Sequence, residues 1–202
     1  MANEIEIKIP LHIEDFERIE KMISLDAQNS GSCQLVFSDF MRIFKSDGYF
    51  SRYKTRPERK KNGEFEVIRI RTEKTDGGKK SFFTTKRKSL VNGFEVNDEK
   101  ETFVENPEVL ENFLLTSGFI KWFEKTKNAQ SVLCRLKDGK DLVFHLELEK
   151  VNGLLYVEIE CTESKNYQNS EVFLELKKVA EAISLGIENI DSRPWTEILG
   201  VK

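Results

Sequence analysis

Residues 3–10 read NEIEIKIP, a stretch in which charged residues alternate with isoleucines. Glu4, Glu6 and Lys8 fall on one side of a β-strand, because successive side chains point to opposite faces. Two carboxylates on neighbouring same-face positions lie roughly 6.6 Å apart and repel by about 2.5 kcal/mol at an effective dielectric constant near 20. On a solvated face that repulsion is screened. On an enclosed face, a cation must lie between the two acids.

The composition limits the classes of protein to consider. The chain has 202 residues, with 32 Lys and Arg against 35 Asp and Glu. This length suits a single domain, residues 1–202, with a sizeable core. The near balance of charge argues against a nucleic-acid partner, so any phosphate-binding surface must come from local arrangement.

The cysteines and the hydropathy pattern bear on the compartment. Cys33, Cys134 and Cys161 are far apart, odd in number and without a CxxC spacing, which is typical of reduced thiols in the cytoplasm. The two histidines give no zinc-ligand spacing. We find neither a signal-peptide pattern nor an apolar run of transmembrane length, and therefore expect a cytoplasmic protein with no membrane partner.

Turn signals divide most of the chain into short strands. Asp–Gly and Asn–Gly pairs, which favour hairpins, occur at 47–48, 62–63, 76–78, 92–93, 138–139 and 152–153. Strand-like stretches lie at about 34–45, 49–56, 64–74, 80–90, 93–104, 120–137, 140–150 and 154–162. Helical apolar spacing is found after Pro10, after Pro107 and between Ser170 and Gly186. We therefore predict an α+β fold that is mostly antiparallel β.

The charged pattern of the opening strand recurs on six further strands. Each places charged residues two apart and mostly has apolar or β-branched residues on the opposite face: Arg69 and Arg71; Lys86 and Lys88; Glu99 and Glu101; Lys125 and Lys127; His145, Glu147 and Glu149; Glu158 and Glu160. Any one pair is most simply a solvated face. Seven strands sorted by sign, with three helices that need an apolar surface to cover, favour a closed barrel with a charged lumen.

Such a lumen indicates its ligand. Rows of Lys and Arg match the oxygens of phosphate groups, whereas carboxylates in the same space would repel them. A hard divalent cation such as Mg²⁺ or Mn²⁺ joins the two, because it takes one or two carboxylates together with phosphate oxygens. The pattern thus predicts a metal-bridged di- or triphosphate, with Glu4 and Glu6 as metal ligands.

These motifs resemble the CYTH superfamily, the triphosphate tunnel metalloenzymes, over essentially the whole chain. Glu4-x-Glu6-x-Lys8 looks like the ExExK signature of the superfamily. The other landmarks follow in its order: Arg69 and Arg71, Lys86, Glu99 and Glu101, Lys125 and Lys127, Glu158 and Glu160. The C-terminal SRPWTEILG, with Arg193 and Trp195, resembles the RSYxxLLG ending of bacterial class IV adenylate cyclases.

The resemblance implies a closed eight-stranded barrel that forms a triphosphate tunnel. It implies Mg²⁺ or Mn²⁺ ligands at Glu4, Glu6, Glu158 and Glu160, with Glu99, Glu101 and Glu149 in or next to that set. It implies catalytic roles for Lys8 and Glu6. It also implies a triphosphate clamp of Arg69, Arg71, Lys86, Lys125, Lys127 and Arg193.

The reaction stays open at this point. The C-terminal motif favours cyclisation of ATP to cyclic AMP and pyrophosphate, whereas Asn97, Lys127 and Glu149 depart from the family pattern. The alternatives are hydrolysis of ATP, thiamine triphosphate or inorganic triphosphate, and a sensor that binds without turnover. A homodimer is also left open.

Some residues have simpler interpretations. The basic segment 52–61 reads as a solvated hairpin tip or as a lip that attracts polyphosphate. We expect Trp195 and Phe123 to pack between helix and barrel, and His145 to be a wall residue.

Overall fold

A closed antiparallel barrel forms the centre of the protein. The computed structural model describes residues 2–25, 34–161 and 167–200. Its strands are β1 (Ala2–Pro10), β2 (Leu35–Ser51), β3 (Glu66–Thr75), β4 (Gly78–Val91), β5 (Phe94–Phe103), β6 (Ile120–Leu136), β7 (Phe144–Val151) and β8 (Leu154–Cys161). They follow one another around the barrel in the order β1–β5–β4–β3–β2–β6–β7–β8, and β8 pairs with β1. The predicted eight-stranded barrel is confirmed.

Two tight hairpins agree with their sequence signals. Asn92 and Gly93 join β4 to β5 with φ values of 54° and 85°, and Asn152 and Gly153 join β7 to β8 with 48° and 83°. Two consecutive residues with positive φ form the type I′ turn, which matches the twist of the flanking strands. Asn and Gly adopt this conformation at low cost, which is why these pairs mark the hairpins.

The predicted turn at Asp47–Gly48 is wrong. Both residues lie inside β2, which runs without a break from Leu35 to Ser51 and replaces the two predicted strands 34–45 and 49–56. At this point β2 pairs with β3 on one side and with β6 on the other: Asp47 faces both Arg71 and Lys125. Two ladders of backbone hydrogen bonds thus outweigh the local preference of Asp–Gly for a turn.

Helices cover the apolar outside of the barrel. They are α1 (Ile13–Leu25), α2 (Arg56–Lys61), α3 (Pro107–Thr116), α4 (Asn169–Ala182) and α5 (Trp195–Ile198), with a 3₁₀ turn at Ile187–Asn189. Ile5, Ile7 and Ile9 point away from the lumen and join a fully buried core with Ile19 of α1 and Leu176 of α4. The alternation in NEIEIKIP therefore divides β1 between this core and the lumen. In the described ranges, no helix is both long and apolar enough to span a membrane.

Two further predictions about the covering elements need correction. The apolar stripe of α3 is only partly used, since Leu114 is buried while Val109 and Phe113 are exposed. The segment 52–61 is not a plain hairpin tip: its second half forms α2, which begins at a capping box made by Thr55 and Glu58. Cys134 and Cys161 are buried in the core, and Cys33 lies outside the described residues.

The contrast between two leucines of α4 tests the core. Leu176 is fully buried against the barrel, whereas Leu174, on the same helix, is 52% exposed. We expect Leu176→Ala to lower the free energy of unfolding by about 3 kcal/mol, because it leaves a cavity in the core. Leu174→Ala is the matched control and should cost less than about 1 kcal/mol. Urea denaturation measures both, and equal losses would contradict the assignment of the buried face.

Candidate functional site

The charged faces of all eight strands line one enclosed cavity of about 210 Å³ inside the barrel. The structure brings together most of the residues predicted for the site, which line this tunnel: Glu4, Glu6, Arg69, Arg71, Lys86, Glu99, Glu101, Lys125, Lys127, Glu158 and Glu160. His145 also lines it, and its Nε2 lies 2.6 Å from the Ser131 hydroxyl. The lumen is therefore a polar tunnel, whereas the lumen of a small barrel is more often filled by core side chains.

An acidic cluster at β1 surrounds the ammonium group of Lys86. The Lys86 Nζ lies 3.4 Å from a Glu4 oxygen, 3.2 Å from a Glu6 oxygen and 3.0 Å from a Glu99 oxygen. Carboxylate oxygens of Glu4, Glu6 and Glu160 all lie within 4.8 Å of one another. A cation at this place is what the repulsion between Glu4 and Glu6 required, and a lysine supplies part of the charge.

One ammonium group does not neutralise this cluster. Burial, together with Glu99 and Glu6, raises the pKa of Glu4 to about 7 against the pull of Lys86. Burial, together with Glu4 and Glu6, raises the pKa of Glu160 to about 8. Glu6 behaves differently: burial works against ionisation there as well, but Lys86 and Lys88 bring its pKa below the ordinary value. Glu4 and Glu160 thus lack the positive charge that would hold them ionised.

This donor set fits a hard divalent cation. Mg²⁺ and Mn²⁺ prefer carboxylate oxygens, and three such groups converge here in a buried, polar space. Burial and mutual repulsion raise the pKa values of Glu4 and Glu160, and a bound divalent cation would favour their ionised forms. Glu4, Glu6 and Glu160 are the residues that would hold the ion.

A second acidic cluster, in β7 and β8, surrounds Lys127. The Lys127 Nζ lies 2.7 Å from Glu147, 2.7 Å from Glu149 and 3.2 Å from Glu158. Burial and the neighbouring Glu158 raise the pKa of Glu149 to about 8. Glu158 therefore belongs to a different cluster from Glu4, Glu6 and Glu160, although the resemblance places all four in one ligand set.

Asp47 forms ion pairs with two basic residues of the tunnel, Arg71 and Lys125. Its two oxygens accept hydrogen bonds of 2.7 and 2.9 Å from the Arg71 guanidinium, and Lys125 Nζ lies 3.7 Å away. Arg69 donates to Thr84 at 3.1 Å and lies 3.3 Å from Glu99. Burial, with Lys127 nearby, lowers the pKa of Lys125 to about 7. This end of the tunnel lacks the negative charge that a phosphate would bring.

Trp195 packs between the C-terminal helix and Val151 and Tyr156 of the barrel, as expected, and is also part of the tunnel wall. Its Nε1 donates a 3.0 Å hydrogen bond to Glu158, and its ring centroid lies 4.7 Å from the Lys125 ammonium. Phe123 is a packing residue, as expected: its ring centroid lies 5.0 Å from that of Tyr49. The aromatic position of the C-terminal motif therefore reaches the site.

The other predicted residues lie next to the tunnel or outside it. Lys8 is buried, donates a 2.7 Å hydrogen bond to the backbone oxygen of Arg193 and lies 3.6 Å from Glu95. Glu149 is fully buried behind Lys127. The Arg193 guanidinium turns away from the tunnel to Asp191 at 2.7 Å, with 55% of its side chain exposed. The predicted roles of these residues in catalysis and binding stay predictions.

Sequence reasoning missed the charges of β2. Lys45 and Asp47 repeat the charged pattern of the other seven strands and line or support the tunnel, but the Asp–Gly turn signal hid them. Lys45 forms ion pairs with Glu147 and, at 3.4 Å, with Glu73. Glu95 of β5 was also missed, although it lies on the same face of the strand as Glu99 and Glu101 and forms ion pairs with Lys8 and Lys88.

Comparison with solved structures identifies the class of fold. The PH1819 protein of Pyrococcus horikoshii matches with a TM-score of 0.73 and 19% identity over 97% of both chains. A candidate adenylate cyclase of Vibrio parahaemolyticus matches with a TM-score of 0.69 and 15% identity over 99% of both chains. HpAC1 of Hippeastrum, in which a triphosphatase activity dominates, matches with a TM-score of 0.56 and 14% identity over 98% of this chain and 94% of its own.

These similarities show that the chain has the barrel fold of those proteins. The barrel fold that the resemblance to the CYTH superfamily implies is confirmed. No family model matches the chain, and no curated protein matches it in sequence.

The ion pair between Asp47 and Arg71 gives a stability prediction. Burial works against ionisation of Asp47, but Arg71 holds its pKa well below the ordinary value. We expect Asp47→Asn to lower the free energy of unfolding at neutral pH by about 3 kcal/mol, because it leaves a buried guanidinium unpaired. A carboxylate with a lowered pKa stabilises above its unfolded pKa of about 3.9, so the difference from wild type should shrink as pH falls below that value.

Urea denaturation between pH 3 and pH 7 measures this difference. Asp39→Asn is the matched control, since Asp39 lies exposed on the same strand and its φ of 55° suits Asn equally well. A loss of similar size in the two variants would show that Asp47 has no special role.

Proposed function

We propose that the protein is a divalent-metal-dependent enzyme that acts on a triphosphate inside the tunnel. The observation that carries the proposal is that two unbalanced charge sets share one enclosed space. Glu4 and Glu160 lack positive charge at one place, while Lys125 lacks negative charge at another. A metal ion with a triphosphate supplies both missing charges. The fold shared with a candidate adenylate cyclase and with HpAC1 supports the same class of enzyme.

The metal site in this proposal is Glu4, Glu6 and Glu160. Glu99 bonds to Lys86 next to it, and Glu101 accepts a 2.8 Å hydrogen bond from Thr84, so both act by positioning neighbours. When bound, Mg²⁺ or Mn²⁺ neutralises and polarises the phosphate oxygens. Glu158 and Glu149 instead hold Lys127, whose ammonium group faces the same tunnel.

The triphosphate clamp is formed by the basic residues of β3, β4 and β6. Arg69 and Arg71 present guanidinium groups that fit phosphate oxygens in pairs, and Asp47 fixes the orientation of Arg71. Lys86, Lys125 and Lys127 add point charges from the other walls. Because these groups are oriented before substrate enters, they stabilise the charge of the transition state with little reorganisation. Lys8 and Glu6 remain the proposed catalytic pair: Glu6 belongs to the acidic cluster, and Lys8 lies next to the tunnel with Glu95.

Cyclisation of ATP is the reaction that the C-terminal motif favours. The ribose 3′-oxygen attacks the α-phosphorus, its proton passes to a base, and pyrophosphate leaves. Trp195 of that motif does line the tunnel, where it bonds to Glu158.

Hydrolysis is the second candidate, and one observation favours it. The arginine of the C-terminal motif, Arg193, pairs with Asp191 and does not line the tunnel. A feature that pointed to cyclisation is therefore not used for binding in this conformation. In hydrolysis, water attacks the terminal phosphorus and the remaining diphosphate leaves. We propose that either reaction takes place in the cytoplasm on a small molecule, without nucleic acid or membrane.

Product analysis separates the reactions. Purified protein is incubated with ATP or with inorganic triphosphate, each with Mn²⁺ or Mg²⁺. Cyclic AMP with pyrophosphate would establish cyclisation. ADP with phosphate, or turnover of inorganic triphosphate, would establish a triphosphatase. Metal-dependent binding without any product would overturn the proposed enzyme in favour of a sensor.

Substitution of Glu4 tests the metal site. We expect Glu4→Gln to lower Mn²⁺-dependent turnover by about 100-fold or more, because it removes one anionic ligand. The melting temperature of the metal-free protein should stay equal or rise, since burial and repulsion already disfavour the ionised form of Glu4. Glu108→Gln is the control, because the Glu108 side chain is 77% exposed on α3. Unfolding of Glu4→Gln would show a structural role instead.

Ligand-dependent stabilisation gives an activity-independent check. We expect inorganic triphosphate at about 100 times its Kd to stabilise the wild type by about 2.7 kcal/mol with Mn²⁺ present. With EDTA the shift in melting temperature should be much smaller. Equal shifts in the two conditions would show that the acids do not take part in ligand binding.

A further inference from the structure

A second cavity, of about 260 Å³, lies beside the tunnel and shares part of its wall. We call it the side chamber; its walls include Tyr49, Phe65, Trp122, Phe123 and Trp195. Tyr49 and Trp195 line both cavities, as do Val67 and Lys88. The two cavities are therefore neighbours, and these four side chains lie between a molecule in the tunnel and the side chamber.

We propose that the side chamber binds a planar heteroaromatic group that is joined to the triphosphate. The substrate is then an organic triphosphate, such as a nucleoside triphosphate or thiamine triphosphate, rather than inorganic triphosphate. This inference rests on the proposed function, because it specifies what the triphosphate in the tunnel carries.

The walls of the side chamber are aromatic and partly unburied. Phe123 packs against Tyr49 at a ring distance of 5.0 Å and against Trp122 at 5.9 Å, so these rings form one continuous surface. Phe65 adds a ring that is 60% exposed. Aromatic surface left open next to a binding tunnel is suited to stacking, since every heteroaromatic ring offers a complementary π-face.

The charges around the side chamber favour a ring over a further phosphate group. Arg59 Nε lies 2.8 Å from Glu64, and Arg56 lies 2.7 Å from Glu197, so both guanidinium groups already have carboxylate partners. The Arg59 guanidinium also lies 4.6 Å from the Trp122 ring centroid. Arg56 and Arg59 of the basic segment 52–61 therefore build a wall here with their charges already paired.

Trp122 lines the side chamber with atoms other than its hydrogen-bond donor, because its Nε1 is buried. The indole therefore offers ring surface for stacking and not a hydrogen bond to a ligand. A purely phosphate ligand, held in the tunnel, has no atoms to place in the side chamber.

The first experiment measures KM and kcat with Mn²⁺ for ATP, thiamine triphosphate and inorganic triphosphate. We expect Phe65→Ala to raise KM about tenfold for one or both organic substrates, because it removes a stacking surface. KM for inorganic triphosphate should stay within about twofold, which also shows that the variant is folded. The organic substrate whose KM responds to the substitution identifies the ring. Phe113→Ala is the matched control, because Phe113 is 61% exposed and lines neither cavity.

A second measurement does not depend on turnover. Trp122 and Trp195 are the two tryptophans of the chain, so Trp195→Phe leaves Trp122 as the sole indole fluorophore. With Mn²⁺ present, ATP or thiamine triphosphate should quench this fluorescence by stacking, whereas inorganic triphosphate should not.

The outcomes separate the inference from the proposed function. Suppose that all three substrates are turned over, that Phe65→Ala has no selective effect and that no selective quenching is seen. The inference that the side chamber binds a ring would then be overturned, and the proposed enzyme would stand. Absence of turnover and of metal-dependent binding with all three would overturn both.

Discussion

The need to neutralise charge inside the barrel is the constraint on which the structure depends. Isolated charges cannot be taken out of water without a partner, because their desolvation costs several kcal/mol each. Lys86 among Glu4, Glu6 and Glu99 is one solution. Lys127 in the β7–β8 cluster and Asp47 between Arg71 and Lys125 are two others. Each brings together residues from different strands, so the polar network exists only when the barrel is closed.

The neutralisation is incomplete, and the remaining imbalance is local. Burial raises the pKa of Glu160 to about 8, and burial lowers that of Lys125 to about 7. One region therefore favours an added cation and another favours an added anion. In the proposed function, a metal ion with a phosphate chain would supply both charges at once.

An apolar exterior offsets the free-energy cost of a polar, charged lumen. Ile5, Ile7 and Ile9 pack outward with α1 and α4, so burial of apolar surface stabilises the barrel from outside. Because the apolar core lies outside the barrel, the lumen need not be filled with apolar side chains and can hold charged groups that are costly to bury. Beside the tunnel, Phe65, Phe123 and Trp195 add aromatic rings to the wall of the side chamber.

The sequence by itself determined the barrel strands other than β2 and most of the lumen. The period-two alternation assigns Glu4, Glu6, Arg69, Lys86 and Glu160 to one face, because side-chain direction in a strand is a local property. The Asn92–Gly93 and Asn152–Gly153 hairpins were also predictable, since positive φ is a local preference.

Only the tertiary structure decided the rest. Pairing on both sides overrides the turn signal at Asp47, strand register separates Glu158 from Glu4, and packing of the C-terminal segment brings Trp195 to the tunnel while Arg193 stays outside. The conformation at Asp47, the separation of Glu158 from Glu4 and the positions of Trp195 and Arg193 all depend on contacts between residues far apart in the chain, which local patterns do not encode.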